Sequence, residues 1–542
     1  MKRQIFKLIF MGFFLLPLIL SAQITQTEID SALSGLPFDQ FSISIPVFST
    51  RQYNITDAGA VGDGLIDNTR IINATILKCS LAGGGTVVIP AGLWLTGPIS
   101  MQSNVNLHLN EGAVVSFSSN LKDYPLIKSG SHYNITSLIN GHHLENAAIT
   151  GDGIFNGTGE AWRPVKKEKM NTDAWKKLLH SGGSLSADHK IWYPRKNAVS
   201  AMNFLKTHKA SAMTLQDYQK AKAYYRPYML NLENSKNILI EGITLQNSPK
   251  FCMIMRNITG LIVFRVKALN EWWAQNGDGL DVSACKNVLI DQCTVNTGDD
   301  GICMKSSSAR ENEFRLENVV IRDCKVNHAH GGFVIGSNTD GHIRNIYVTN
   351  CSFCGTDVGL RFKSNAGRGG MVTGIFVDGI YMKGIEKEAV LFDLTYEDTG
   401  AVKMKKGSIA QDKVPRFDGF SIRNIYVNGA AVACRMDGFP GCHVRNADFQ
   451  NWVIKSKRGL QINYGENIRF NSLKLDVSND SLAGQFFNVK QLLLQKIKLL
   501  SPEKPLKITG DKTYSVLLNS SGLNNSQFII SEEVNKKEIV LK

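Results

Sequence analysis

The chain is predicted to be all-β, wound as a right-handed parallel β-helix, on three observations. First, "NILIEGITLQNSPKFCMIM", "NVLIDQCTVNTGDDGICMKS", "NVVIRDCKVNHAHGGFVIGS" and "NIYVTNCSFCGTDVGLRFKS" overlay on one another. Each opens on an asparagine, runs through alternating apolar residues, turns, and ends in a second short strand. Second, the step between them is roughly 20 to 30 residues, which is the period of a solenoid. Third, a helical spacing ahead of the repeats supplies the cap that an open stack of strand edges needs.

Taken in order, the elements start with "MKRQIFKLIFMGFFLLPLILSAQ", a basic start, an apolar run and a small residue, Ala22, before Gln23. That pattern predicts a signal peptide over 1–22 and an exported protein, secreted or periplasmic. No later run reaches the roughly 20 apolar residues of a membrane span. The chain of 542 residues would by length alone suggest several domains, but the repeats overrule this, and 23–542 is read as one β-helix domain. "DNTRIINATILKCSLAGGG" from Asp67 predicts the capping helix, with Ile71, Ile72, Ala74, Ile76 and Leu77 as its apolar residues and a glycine stop. Coils begin at "GGTVVIPAGLWLTGPISM". A lysine-rich, partly helical insertion at about 157–226 interrupts them, and solenoid insertions emerge as loops on one face. Asn237, Asn287, Asn318 and Asn345 fall in one slot and are expected to stack as an internal polar ladder. Cys293, Cys324 and Cys351 share another and read as a row of small buried side chains, with a Cys351–Cys354 or Cys434–Cys442 pair left open. After Arg445 further strand-like units such as "NIRFNSLKLDV" and "QLLLQKIKLL" continue to a weakly structured end.

Composition narrows the partners. A formal charge of +14 fits a nucleic acid, an anionic membrane or a polyanionic substrate, and export favours an acidic polysaccharide. A nucleic-acid partner and membrane insertion are not expected, and the protein is read as a monomer. Ten cysteines spread over a core-forming sequence show no zinc-type spacing. Trp272 and Trp273 are read as core.

The chemistry gathers where the repeats align. Coils stack about 4.8 Å apart, so equivalent slots become neighbours on one outer face. The endings "MKS", "IGS" and "FKS" place Asp299 and Asp300 one coil before His330, which lies one coil before Arg361 and Lys363. "NGDGLDVS" brings Asp278 to the corresponding turn. Gly298 and Gly301 are expected to free the backbone so that both adjacent aspartates face one groove. Three close acids repel, and at least one should hold a proton near neutral pH while another stays ionised, as glycosidic cleavage requires. Arg361 and Lys363, two apart, share a face fit to hold a sugar carboxylate. Lys305 projects from a similar slot. His328 and His330 lack a zinc pattern, so no metal or other cofactor is expected; calcium on clustered aspartates, as in calcium-dependent pectate lyases, is the rival reading.

The ordered segments "NGDGLD", "TGDDG", "AHGG" and "RFK" resemble the four signature segments of the family 28 glycoside hydrolases, the polygalacturonases and their relatives. The resemblance runs from about Gln52 to Phe449. It implies a metal-free inverting hydrolase. Asp299 would be the general acid, and Asp278 with Asp300 would activate the attacking water across carboxylates roughly 6.5–9.5 Å apart. His330 would tune the acid, Arg361 and Lys363 would bind the galacturonate carboxylate beyond the cleaved bond, and Asn276 would line the site. The chain departs from the family pattern at Gly277, usually Thr, at Ala329, usually Gly or Ser, and at Phe362, usually Ile. The expected activity is hydrolysis of α-1,4-linked galacturonic acid in pectin, exo-acting because the insertion walls off one end of the groove. The alternative within the family is a rhamnogalacturonan or pectin side-chain hydrolase.

Overall fold

The computed structural model describes residues 23–130, 132–308, 313–397, 411–519, 523 and 525–541, so the expected signal peptide lies outside the described residues. Strands from Gln52–Asn54 to Ile539–Leu541 pair in parallel as one winding sheet. The winding has three faces. On the first, Leu230, Met253, Leu280, Ile302, Phe333 and Leu360 are successive partners. On the second the partners are Ile238, Leu261, Val288, Val319, Ile346 and Ile375. On the third they are Leu245, Ala268, Val295, Val326, Phe353 and Met382. All of these point inward into one continuous buried core, because a strand alternates its side chains between core and solvent. The coils continue through Ile539–Leu541, further than the weak terminal pattern suggests.

The asparagine slot stacks as expected, with Asn318 Nδ2 donating to Asn287 Oδ1 at 3.0 Å and Asn345 Nδ2 to Asn318 Oδ1 at 3.1 Å. Its place differs from the expectation. The four asparagines are half-buried at a corner, each in the left-handed region with φ between 56° and 58°. Asparagine tolerates that conformation and bonds to its neighbour at once, which is why the corner selects it. Gly260 fills the same slot between Asn237 and Asn287 with φ 73°. Cys293, Cys324 and Cys351 are buried, and all ten cysteines are free thiols.

The cap is helix α2 (Thr69–Leu81), preceded by a short α1 (Gln26–Ala32). The buried face of α2 is Ile72, Thr75, Ile76 and Cys79, while Ala74 and Leu77 face solvent. The segment around α1 had no expected role. It lies across the outside of the second face, where Ile24, Ile29, Leu33 and Ile43 bury Leu239, Ile262, Leu289 and Val320.

The insertion leaves the stack after the strand Ile154–Asn156 and returns at Leu230. It holds α3 (Thr172–His180), α4 (Ala198–Thr207), α5 (Leu215–Lys220) and a small antiparallel sheet. It leaves at the turn between the third and first faces, the same turn that on later coils carries the acids. It begins two coils before Asp278.

Candidate active site

The first face forms the floor of a cleft, and side chains rise from it coil by coil. Asp281, Cys303, Val334 and Arg361 form one outward column by register. Asp278 lies in the turn just before its strand, Asp299 ends the next turn, and Asp300 opens the strand Asp300–Lys305. That boundary answers how neighbouring aspartates share a groove: one belongs to a turn, the other to a strand. The flanking glycines act differently from expectation. Neither Gly298 nor Gly301 has a positive φ. They allow close approach, since a Cβ on Gly298 would come within 2.6 Å of the Ala274 carbonyl and one on Gly301 within 2.7 Å of Val326. Gly277, the first departure from the family pattern, has an analogous cause, a Cβ there meeting Ala274 O at 2.9 Å.

The nearest oxygens of Asp278, Asp299 and Asp300 lie within 4.8 Å of one another. His330 Nδ1 is 3.1 Å from Asp299 Oδ1. Lys363 Nζ donates to Asp300 Oδ2 at 2.6 Å and Arg361 Nη1 to Asp300 Oδ1 at 3.2 Å. These cations reach across an intervening coil because the residue in register with Asp300 is Gly331, where a Cβ would sit 3.4 Å from Arg361. Phe362 between them is fully buried. At the other end, Lys305 Nζ donates to Asp278 Oδ2 at 3.3 Å and to Asp281 Oδ2 at 2.8 Å. Lys305, expected to bind substrate, is therefore already engaged by two carboxylates.

The acids differ in ionisation. Burial pushes the Asp278 carboxyl well above the usual carboxylate range, and the charge of Asp281 adds to this against the opposing pull of Lys305. Burial would raise Asp300 too, but Lys363, Arg361 and Lys305 outweigh it and hold Asp300 at about 2. The expected split between a proton-holding acid and an ionised one is present: desolvation, more than mutual repulsion, raises Asp278, and the cations around Asp300 hold it ionised. Four acids here face three cations, and Asp278 and Asp300 each spend an oxygen on a lysine, so the cluster is largely neutralised by the protein's own side chains and is a poor donor set for calcium.

Two further residues belong to this cluster and were not anticipated. Asp281 was legible, because alternation in "LDVS" turns it outward with Arg361. Tyr396, whose ring centre lies 4.8 Å from Lys363 Nζ and 5.3 Å from the Arg361 guanidinium, follows a coil with no repeat signature. His328 points away, exposed on its turn. Asn276 sits at the edge, its Oδ1 accepting from Arg226 Nη2 at 2.8 Å, so the insertion holds it in place. The tryptophans are not core. Trp272 is 48% exposed under Lys169. Trp273 packs on the insertion's Val165, Trp175 and Trp192, with the buried Arg163 over its ring. A larger cavity of about 860 Å³ around Arg368, Arg416 and Arg445 touches none of the site residues.

Residues 209–418, which contain every site residue named above, match the family model for Glycosyl hydrolases family 28. Over 462 residues the chain is 28% identical to the exo-poly-alpha-D-galacturonosidase of Dickeya chrysanthemi, covering 81% of this chain and 73% of that protein. Over 408 residues it is 26% identical to a probable polygalacturonase of Vitis vinifera, covering 71% of each. The crystal structure of a hyperthermoactive exopolygalacturonase from Thermotoga maritima superposes with a TM-score of 0.65 at 23% identity, covering 88% of this chain and 96% of that one. That likeness speaks to the fold.

Proposed function

We propose that this chain is a member of family 28 of the glycosyl hydrolases, an exported exo-acting hydrolase of α-1,4-galacturonosyl linkages in pectin, working by single-displacement inversion. The observation that carries the reading is two successive turns and one strand holding three carboxylates beside two cations that reach the same aspartate. Relatives named for galacturonan hydrolysis supply the substrate class, and an acidic sugar suits a site where Arg361 and Lys363 stand at the far end of the acids.

In this reading Asp299 protonates the leaving oxygen and His330, in contact with its carboxylate, orients it. Asp300 is the ionised base, kept so by its two cations, and Asp278 joins it in positioning the attacking water once it has lost its proton. The nearest oxygens of the three acids lie within 4.8 Å of one another, shorter than the roughly 6.5–9.5 Å expected for inversion, and close enough for one water to hydrogen-bond two carboxylates at once. Arg361, Lys363 and Tyr396 take the sugar that leaves. The insertion, two coils to the other side of Asp278, closes the end of the cleft that would hold the non-reducing terminus, which favours release of small units from a chain end. The leader-like sequence of 1–22 and the proposed polymeric substrate support the reading of secretion or periplasmic residence.

The test is digestion of polygalacturonate in chelator, with products resolved by size and by anomeric form. Monomer or dimer of inverted configuration from the first minutes is expected, and Asp299→Asn should lose at least about a hundredfold in kcat. Early mixed oligomers would remove the exo assignment, retained configuration would remove the mechanism, and unsaturated ends absorbing in the ultraviolet would replace hydrolysis with elimination.

A further inference from the structure

Between the insertion and the coils lies a cavity of about 670 Å³, within the size range of small-molecule pockets, roughly 300 to 1,000 Å³. Its lining is one-sided in charge. Arg195, Arg226 and Lys250 face it, and no aspartate or glutamate does among the described residues. Tyr193, Tyr218 and Tyr224 from the insertion and Phe251 from the coils give it aromatic walls, the surfaces on which sugar rings pack. The cavity abuts the acidic cluster. Asn276 lines it two residues before Asp278, and the Phe251 ring that faces it carries the Lys305 ammonium at 5.0 Å.

The three cations are not equivalent. Arg226 is committed to the framework, donating from Nη1 to the carbonyls of Pro249 at 3.2 Å and Gln275 at 2.7 Å and from Nη2 to Asn276. Arg195 lies over Trp162, its guanidinium carbon 4.0 Å from the ring centre, and donates to Ser119 O. Lys250 differs from the cleft cations. Lys305, Arg361 and Lys363 each meet a carboxylate, whereas Lys250 has none within ion-pair distance among the described residues. Its ammonium sits 5.0 Å from the ring centre of Tyr228 and 5.4 Å from that of Phe251, two rings stacked at 5.6 Å. Burial lowers the Lys250 ammonium below the usual lysine range, against the pull of Tyr228, to which it hydrogen-bonds, and of Asp278, which lies beyond ion-pair distance.

We propose that this cavity receives the terminal uronate at the non-reducing end of the substrate, and that Lys250 is the specificity-determining residue pairing with that sugar's carboxylate. The proposal rests on the galacturonan reading above and sharpens it, since it assigns the closed end of the cleft a chemical preference and not only a wall. A carboxylate entering here completes the ion pair that Lys250 lacks, in a site where a charge-assisted hydrogen bond is shielded from water. A neutral hexose of the same shape leaves that cation unpaired.

The experiment compares wild type, Lys250→Met and Lys250→Arg on galacturonic acid trimer and on a trimer whose non-reducing terminal carboxyl has been reduced to the alcohol. On the acidic trimer, Lys250→Met should raise KM at least about tenfold while kcat falls less, and Lys250→Arg should recover most of the loss. On the reduced trimer the wild type should resemble Lys250→Met. An unchanged KM for Lys250→Met, or an equal loss on both trimers, overturns the proposal while leaving hydrolysis intact. Calorimetric titration with galacturonic acid and with galactose gives a readout independent of turnover. Wild type should prefer the acid by at least about tenfold, and Lys250→Met should lose that preference. Should the chain bind the acid in this way yet hydrolyse no galacturonan, the functional reading fails and the pocket stands; no preference in wild type overturns the pocket.

Discussion

Asp278 and Asp300 stand at opposite ends of one acidic cluster and are almost equally hidden from solvent, 3% and 2% exposed, yet their carboxyls are driven in opposite directions. Burial alone would raise both. At the Asp300 end, Lys363 at 2.6 Å and Arg361 at 3.2 Å converge on a single carboxylate. At the Asp278 end one lysine is divided between two acids, nearer to Asp281 than to Asp278. The difference teaches that in this cleft depth does not set ionisation; the ratio of cations to acids at each end does. The repeat arranges that ratio by placing Gly331 where a side chain would block Arg361, and by turning Asp281 outward where Cys303 follows it on the next coil.

The sharpest way to break the comparison is to remove the cation from one end and the acid from the other. Lys363→Met leaves the buried Asp300 with Arg361 alone, and breaking such a pair is expected to lower stability by about 3–5 kcal/mol. Asp278→Asn should do the reverse near neutral pH, raising stability by of order 1 kcal/mol, because a buried carboxyl that resists ionisation is no longer asked to lose its proton. Urea unfolding of both variants at pH 7 reads the two signs. Losses of equal size would show that the ends do not differ in the way proposed. A smaller effect follows from Asp300 itself. Its folded pKa of about 2 lies below the ordinary 3.8, so it contributes stability that is complete above about pH 4 and is lost as pH falls through 2, about 2 kcal/mol in all. Asp300→Asn should flatten that part of the stability profile. Asp278, with its pKa raised on folding, contributes the opposite slope, losing stability as pH rises from the ordinary carboxylate range through its folded value.

Smaller again is the effect of Asp281. Its charge, second only to burial, keeps the Asp278 proton in place, and it holds the shared lysine. Asp281→Asn should lower the Asp278 pKa and release Lys305 to it, making that end resemble the Asp300 end. If ionised Asp278 helps to position the water, the acid limb of kcat/KM moves to lower pH, by about one unit as an order of magnitude. A limb that stays in place or moves upward would mean that Asp278 does not set it.

Much of this arrangement was legible in the sequence because a solenoid turns chain order into height. The faces, the capping helix, the insertion and the alignment of Asp278, Asp299, Asp300, His330, Arg361 and Lys363 all follow from strand period and repeat step. What stayed hidden has physical reasons. Whether Lys305 is free depends on Asp281 lying one coil away, which asks for register and alternation together. Tyr396 reaches the cation pair from beyond the strand, where nothing repeats. Gly298 and Gly301 looked like sources of backbone freedom, but their purpose is contact with atoms distant in the chain, Ala274 and Val326. Trp272 and Trp273 looked like core because the insertion they support leaves the stack more than a hundred residues earlier.

The smallest predicted effect sharpens the comparison most narrowly. Cys303 lies between the two ends, its register partner being Asp281 and its Sγ 3.8 Å from Asp300 Oδ2. A thiol is a weak donor, and burial pushes this one well above the usual thiol range, so it stays protonated and neutral. If cations decide the state of Asp300, deleting this contact should scarcely register. Cys303→Ala is expected to change stability by less than about 1 kcal/mol, the upper range of an ordinary neutral hydrogen bond, and to leave both the pH profile of kcat/KM and the low-pH stability slope where they are. A shift of the low-pH slope in Cys303→Ala, with Lys363 and Arg361 intact, would move the credit for the ionised carboxylate from the lysine and arginine to the sulfur beside it.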